Sequence, residues 1–199
     1  MKKLFLMAAM MVATLAANAQ VYVGGGINFS SSKPAYVKVD GGSEPDATTK
    51  FGILPEVGYK LDDKLSVGIA LGYEHSKQGD VKTNGFSIAP YARYTFVKWN
   101  NIGLFGEAQF AYSNKKETES VDMGDGKTMD VDKKSNGWSL GVRPGISIDL
   151  NEKLTFITKF GWLGYKSEKP SDAKGQKASS DFGFDVDATN LQFSLLFNL

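Results

Sequence analysis

"LDDKLSVGIALGY", Leu61 to Tyr73, and "LNEKLTFITKFGWLGY", Leu150 to Tyr165, are two versions of one phrase. Each opens with Leu, two polar residues, Lys and Leu, and each closes on Gly-Tyr. After the opening, Leu65, Val67, Ile69, Leu71 and Tyr73 alternate with Ser66, Gly68, Ala70 and Gly72. Strict alternation marks a strand with one apolar face, and the polar opening marks a turn. The phrase is therefore half of a hairpin.

The alternation recurs from Trp138 through Leu140, Val142, Pro144, Ile146 and Ile148 to Leu150, and again at Leu191, Phe193, Leu195, Phe197 and Leu199. Eight such segments can be placed, at about 21–31, 50–61, 65–77, 84–97, 102–114, 136–150, 154–167 and 189–199. Asp62–Lys64, Lys98–Asn101 and Asn151–Lys153 read as tight turns. The connections near 32–49, 78–83, 115–135 and 168–188 read as loops, mostly longer and rich in Gly, Ser, Asp and Lys. A fuller hairpin unit runs from Pro55 to Tyr73, from Pro90 to Tyr112 and from Pro144 to Tyr165, while loop lengths vary freely. That is the repeat of an up-and-down barrel, not of a solenoid.

The second face of these strands decides their surroundings. It carries Gly24, Gly26, Gly52, Gly58, Gly68, Gly72, Gly141, Gly145 and Gly161, together with Glu56, Arg93, Glu107, Arg143 and Lys159. Such glycines weaken a water-facing strand but suit the inside of a narrow barrel, where they leave room for long charged neighbours. The apolar face then points outward, and an apolar belt around a whole molecule belongs in a bilayer. Only a closed barrel satisfies its backbone there. Strands of this length cross the hydrocarbon when tilted. Tyr73, Trp99, Tyr112, Trp138, Trp162 and Tyr165 fall where interface aromatics are expected, Trp99 at a short turn and the others toward the loops. The expected fold is an all-β, eight-stranded antiparallel up-and-down transmembrane β-barrel.

The N-terminus agrees. Lys2 and Lys3, an apolar run from Leu4 to Ala17 and an Ala17-Asn18-Ala19 ending read as a signal peptide over residues 1–19. The run is shorter than the roughly 20 residues of a spanning helix. The expected barrel domain is residues 20–199, with Gln20 first and no Cys to receive a lipid. With 23 basic and 22 acidic residues and a formal net charge of +1, the chain offers no basic field for nucleic acid. It has no Cys and so no disulfides.

In its signal peptide, alternating segments, charged interior and terminal "LQFSLLFNL" (Leu191–Leu199), the chain resembles the small outer-membrane β-barrels of the outer membrane protein A transmembrane type. The resemblance covers residues 20–199. It implies a bacterial outer-membrane, porin-like cell-envelope protein with periplasmic termini and extracellular loops. The implied partners are outer-membrane lipid, the export and barrel-assembly machinery and an unidentified loop partner. Members commonly end in an aromatic residue that assists assembly; here Leu199 is last and Phe197 stands two places earlier. The peptidoglycan-binding domain of longer members is not expected.

Chemistry-bearing motifs are sparse. His75, the single histidine, has Glu74 and Asp80 as sequence neighbours, the thin basis for a membrane-embedded enzyme. "GGGINF" (Gly24–Phe29) lacks the helix of a phosphate loop and reads as strand. "VDMGDGKTMDVD" (Val121–Asp132) gathers Asp122, Asp125, Asp130 and Asp132 without the spacing of a calcium hand, and reads as a hairpin tip. In "DFGFDVD" (Asp181–Asp187), Phe182 and Phe184 are either exposed or folded onto their loop. The expectation is no catalytic site, no cofactor and no metal. Glu56, Arg93, Glu107, Arg143 and Lys159 form an interior charge cluster that plugs the barrel, and a narrow ion or solute pore is the rival reading.

Overall fold

A computed structural model of the chain describes residues 21–32, 46–122, 128–171, 178–185 and 191–199. The proposed signal peptide lies outside the described residues. The strands are β1 (Val21–Ser32), β2 (Thr48–Lys60), β3 (Leu65–Gln78), β4 (Val81–Trp99), β5 (Ile102–Asp122), β6 (Thr128–Asp149), β7 (Leu154–Lys159), β8 (Trp162–Pro170), β9 (Ser179–Asp185) and β10 (Gln192–Asn198). Successive strands pair antiparallel from β1 to β7, β10 joins β7 to β1, and the ring of eight is complete. Strand β8 continues β7 along the edge of β6, and β9 lies beside β8.

The repeated phrase is a repeated turn. Asp62 Oδ1 accepts hydrogen bonds from the N–H groups of Lys64 and Leu65, both at 2.7 Å. Asn151 Oδ1 accepts from Lys153 and Leu154, both at 2.9 Å. Leu61 N–H donates to Leu65 O and Leu150 N–H to Leu154 O, each at 2.8 Å. An Asp or Asn side chain thus stands in for a backbone acceptor and closes both loops in the same way. The third short turn, Asn100-Asn101, holds Asn100 at φ 52°, as a two-residue hairpin turn requires. Leu199 N–H donates to Val21 O at 2.9 Å, which fastens the two ends of the barrel domain together at the short-turn end.

Two expectations are corrected toward the other end. Within the loops expected near 78–83 and 115–135, residues 81–83, 115–122 and 128–135 are strand: β4, β5 and β6 are 19, 21 and 22 residues long, about twice a membrane crossing. Only Gly79-Asp80 turns between β3 and β4, with Gly79 at φ 56°. The extensions escaped the apolar pattern because both their faces are polar. Ion pairs hold them instead: Lys116 to Asp132 at 2.9 Å and Lys133 to Glu119 at 3.1 Å.

Alternation places Tyr22, Gly58, Gly68, Tyr91, Phe105 and Gly145 inward, and Val67, Leu71, Ile88 and Leu104 outward and exposed. Each large inward ring leans over a glycine of the next strand. A Cβ at Gly58, Gly68 or Gly145 would collide with Tyr22, Tyr91 or Phe105 respectively. The inward glycines therefore make room for rings as well as for charges. Among the described residues the buried core is in the lumen: Tyr22, Ala70, Ala89, Tyr91, Phe105, Ile157 and Leu196 form its cluster. The outer surface is apolar.

The phase of the alternation slips at Phe96 of β4, where Thr95 pairs with Phe105 and Val97 with Leu104, and again between β7 and β8. Lys159 pairs with Gly145 and Leu163 with Val142, so four steps along one stave match three along β6. The extra residue is a bulge at Phe160-Gly161, with Gly161 at φ 67°. Odd residues face inward before it (Thr155, Ile157, Lys159) and even ones after it (Trp162, Gly164). Trp162, expected at the membrane interface, is 7% exposed and inside the barrel. Gly161, expected as an ordinary inward glycine, is the bulge itself.

Candidate functional site

Halfway along the lumen lies a layer of charge. Arg93 of β4 and Glu107 of β5 are direct cross-strand partners. Arg93 Nε and Nη2 donate to Glu107 Oε2 at 2.9 and 2.7 Å, and Lys159 Nζ of β7 donates to Glu107 Oε1 at 2.8 Å. Arg93 Nη2 also reaches Glu56 Oε2 of β2 at 3.3 Å, and Lys159 Nζ lies 3.8 Å from the same oxygen. Glu107 is fully buried, and Lys159, Arg93 and Glu56 are 2%, 5% and 6% exposed. Two carboxylates meet two cations, so the layer is neutral. That balance is what a low-dielectric interior demands.

Aromatic rings complete the layer. The Arg93 guanidinium lies 5.0 Å from the Tyr91 ring centroid, 5.1 Å from that of Phe105 and 5.9 Å from that of Tyr22. Lys159 Nζ is 5.5 Å from the Tyr91 centroid, and the Tyr22 and Tyr91 hydroxyls bond each other at 2.9 Å. A vestibule of about 580 Å³ at the short-turn end has Tyr22, Arg93, Ile157 and Leu196 among its walls. A second, of about 650 Å³ at the opposite end, is lined by Lys50, Glu74, Lys115, Glu117, Lys133 and Glu168 among others. The layer stands between them.

Arg143 departs from the expected cluster. It is the register partner of Glu107, yet both Glu107 oxygens are already taken by Arg93 and Lys159. Its Nη1 donates to Gln192 Oε1 at 3.0 Å, and its guanidinium sits 5.2 Å from the centre of the Trp162 ring. Tyr22, Tyr91 and Phe105 were missed as site residues. Alternation alone puts them in line with Gly24, Arg93 and Glu107, but an aromatic on an inner face reads as core.

Five of the six expected interface aromatics, Tyr73, Trp99, Tyr112, Trp138 and Tyr165, are exposed on the outer surface. Trp138 packs between Phe110 and Tyr165, with centroids at 6.4 and 5.2 Å. His75 Nδ1 bonds Asn84 Oδ1 at 2.9 Å, and Tyr73 OH donates to the same oxygen at 3.1 Å. The hydrogen-bond partner of His75 is thus an amide and neither Glu74 nor Asp80. Asp130 accepts from Ser120 at 2.7 Å and Asp132 from Thr118 at 2.8 Å, while Asp125 lies outside the described residues. Among the described residues no group of three or more His, Asp or Glu could hold a metal. Phe182 and Phe184 are exposed on β9.

Beyond the aromatic level, Lys116 and Thr118 hold the Asp132 carboxyl below its ordinary pKa by hydrogen bonding. Ser135 and Lys115 do the same for Glu168. Glu119 holds the Lys133 ammonium above its own by the same means.

The sequence matches the family model of the outer membrane protein beta-barrel domain over residues 4–198. The chain belongs to that family. It is a protein of the bacterial outer membrane. Outer membrane protein W of E. coli is 12% identical, with 90% of this chain and 97% of that one covered and a TM-score of 0.50. Neisserial surface protein A is 17% identical, with 92% and 98% covered and a TM-score of 0.49. At such identities the likeness to outer membrane protein W speaks for the fold alone. A comparison with curated protein sequences finds no match.

Proposed function

We propose that this outer-membrane barrel is closed at rest by its charge layer and works through the polar hairpins at its long end, as a structural and surface-interaction protein. The observation that carries this reading is the buried, neutral Glu56–Arg93–Glu107–Lys159 layer in the narrow lumen of an eight-stranded ring. Extensions braced by ion pairs give the long end a firm polar surface on which a partner could rest. Small outer-membrane barrels turn their short connections to the periplasm. The termini, next to the short turns, are then periplasmic and the hairpins extracellular. A structural role also suits His75, whose ring bonds the Asn84 amide at 2.9 Å.

The vestibules on both sides of a single layer favour one second reading, a narrow pore that conducts when the layer rearranges. Topology is tested by cysteines at Asp80, Met129, Asp63 and Asn151, labelled on intact cells with an impermeant maleimide. Labelling at positions 80 and 129 alone is expected. Labelling at 63 and 151 with 80 and 129 protected would reverse the orientation and remove the surface role.

A further inference from the structure

Four neighbouring strands repeat one outward pattern where the apolar wall ends. Tyr73, Phe86, Tyr112 and Trp138 of β3 to β6 are each followed, two positions toward the long hairpins, by His75, Asn84, Asn114 and Asn136. Two positions further come Lys77, Lys82, Lys116 and Lys134, all exposed. By the alternation every one of these side chains is on the outer face, since residues two apart share a face. No outward position between an aromatic and its lysine carries a carboxylate, while Glu74 and Glu117 line the vestibule inside.

The lysines stand against one another. Lys77 is directly opposite Lys82 in the β3–β4 ladder, and Lys116 directly opposite Lys134 in the β5–β6 ladder. Lys82 is opposite Thr118, so Lys116 is its diagonal neighbour and the four form one unbroken row. Like charges directly opposite each other destabilise a sheet. The carboxylates near the row lie on its far side from the aromatics. Asp132 bonds Lys116 at 2.9 Å, Asp80 is in the turn beyond Lys77, and Asp46 shares an outer hollow of about 520 Å³ with Lys77. On the near side the polar side chains bond one another: Asn114 Nδ2 donates to Asn136 Oδ1 and Tyr73 OH to Asn84 Oδ1. Charge is therefore sorted by height, with cations nearest the bilayer and acids above them. Four residues past an aromatic is about 13 Å along a strand, or about 10 Å of height at the usual tilt. A lysine stem that bends back brings its ammonium into the hydrated headgroup layer.

We infer that this row binds lipid phosphomonoesters in the leaflet on the long-hairpin side, one phosphate bridging Lys77 and Lys82 and another bridging Lys116 and Lys134. A phosphomonoester carries about −1.5 to −2 charges and three acceptor oxygens, enough to serve two ammonium groups at once. It relieves the two like-charge pairs that the ladders impose. The occupant is a lipid because the wall directly beneath, at Tyr73, Tyr112 and Trp138, is covered by acyl chains in the membrane, and a phosphate carried on those chains is held at the height of the row. The site does not depend on whether the lumen is closed.

The test uses the full-length barrel in phosphatidylcholine vesicles, with the exposed Trp138 as reporter and Trp99→Phe as background. Dibrominated phosphatidic acid, mixed in at a small fraction, should quench Trp138 about fivefold more strongly than dibrominated phosphatidylcholine, the worth of one lysine at a charged surface. Lys116→Gln combined with Lys134→Gln, shown to be folded by heat-modifiable mobility, should abolish that preference. Lys64→Gln combined with Lys153→Gln makes the same charge change at the short-turn end and should leave it intact. Asp132→Asn should raise it, because the phosphate then no longer competes with a carboxylate for Lys116. An unchanged preference in the folded Lys116–Lys134 variant, or an equal loss in the Lys64–Lys153 variant, would overturn the proposal. Equal quenching by dibrominated phosphatidylglycerol, a phosphodiester, would overturn the monoester assignment, and displacement by inorganic phosphate the lipid assignment. If the Lys116–Lys134 variant does not fold, Asp132→Asn decides, and a preference that fails to rise refutes the site.

Discussion

Replacing Glu107 by Ala removes three hydrogen bonds at once, two from Arg93 and one from Lys159. It also leaves two buried cations facing a single carboxylate. Breaking a buried pair in this way costs about 3–5 kcal/mol. The geometry sets the expectation near the lower bound, because Glu56 Oε1 has no hydrogen-bond partner among the described residues and Lys159 is already 3.8 Å from Oε2 of the same side chain. A modest shift of the ammonium recovers part of the loss. Glu56→Ala should cost less, since its contacts lie at 3.3 and 3.8 Å and both cations keep Glu107. Urea unfolding of the barrel in phosphatidylcholine vesicles measures both. A cost for Glu107→Ala under about 1 kcal/mol, or below that of Glu56→Ala, would refute the claim that Glu107 is the keystone of the layer.

Asp62→Asn should preserve folding into lipid, because Asn151 makes the same turn, whereas Asp62→Ala loses both acceptor bonds and should slow it; equal folding rates would refute the turn's role. Leu71→Arg puts a charge on the lipid face and should cost about 2–4 kcal/mol near the midplane in the same urea assay. Gly145→Leu should cost about 1–3 kcal/mol or more for the opposite reason, since its side chain meets the Phe105 ring inside the lumen. The polar extensions should keep their hydrogen-exchange protection at neutral pH and lose it in acid. Asp132 and Glu168 have lowered pKa values, so their contribution is complete above the ordinary carboxylate values of about 4 and disappears as pH falls through the lowered ones. Lys133 is raised, so its share lasts beyond about pH 10 and is lost only as pH climbs through the raised value.

The transmembrane part was legible because two environments, lipid and a tight lumen, impose opposite demands on alternate residues. Leu65 to Tyr73 carries both demands in one line, and its turn is written in Asp62. Legibility ends where one of those demands lapses. Past the aromatic level both faces of β4, β5 and β6 meet water, so strands held by Lys116–Asp132 and Lys133–Glu119 look like loop. At Phe160-Gly161 one inserted residue reverses the alternation, and Trp162 moves from the expected interface to the lumen. The charge cluster was visible as residue types on one face. Its partner choice was not, because register places Arg143 opposite Glu107 while competition from Arg93 and Lys159 decides the bonds.

The most direct test of the central claim, a barrel closed by its own charge layer, is single-channel recording of the folded wild-type protein in planar bilayers beside Glu107→Ala. The account predicts a quiet wild type and a variant that opens discrete conductance steps as Arg93 and Lys159 lose their shared carboxylate. Large, steady conductance by the wild type would mean that the layer lines an open channel and does not close one.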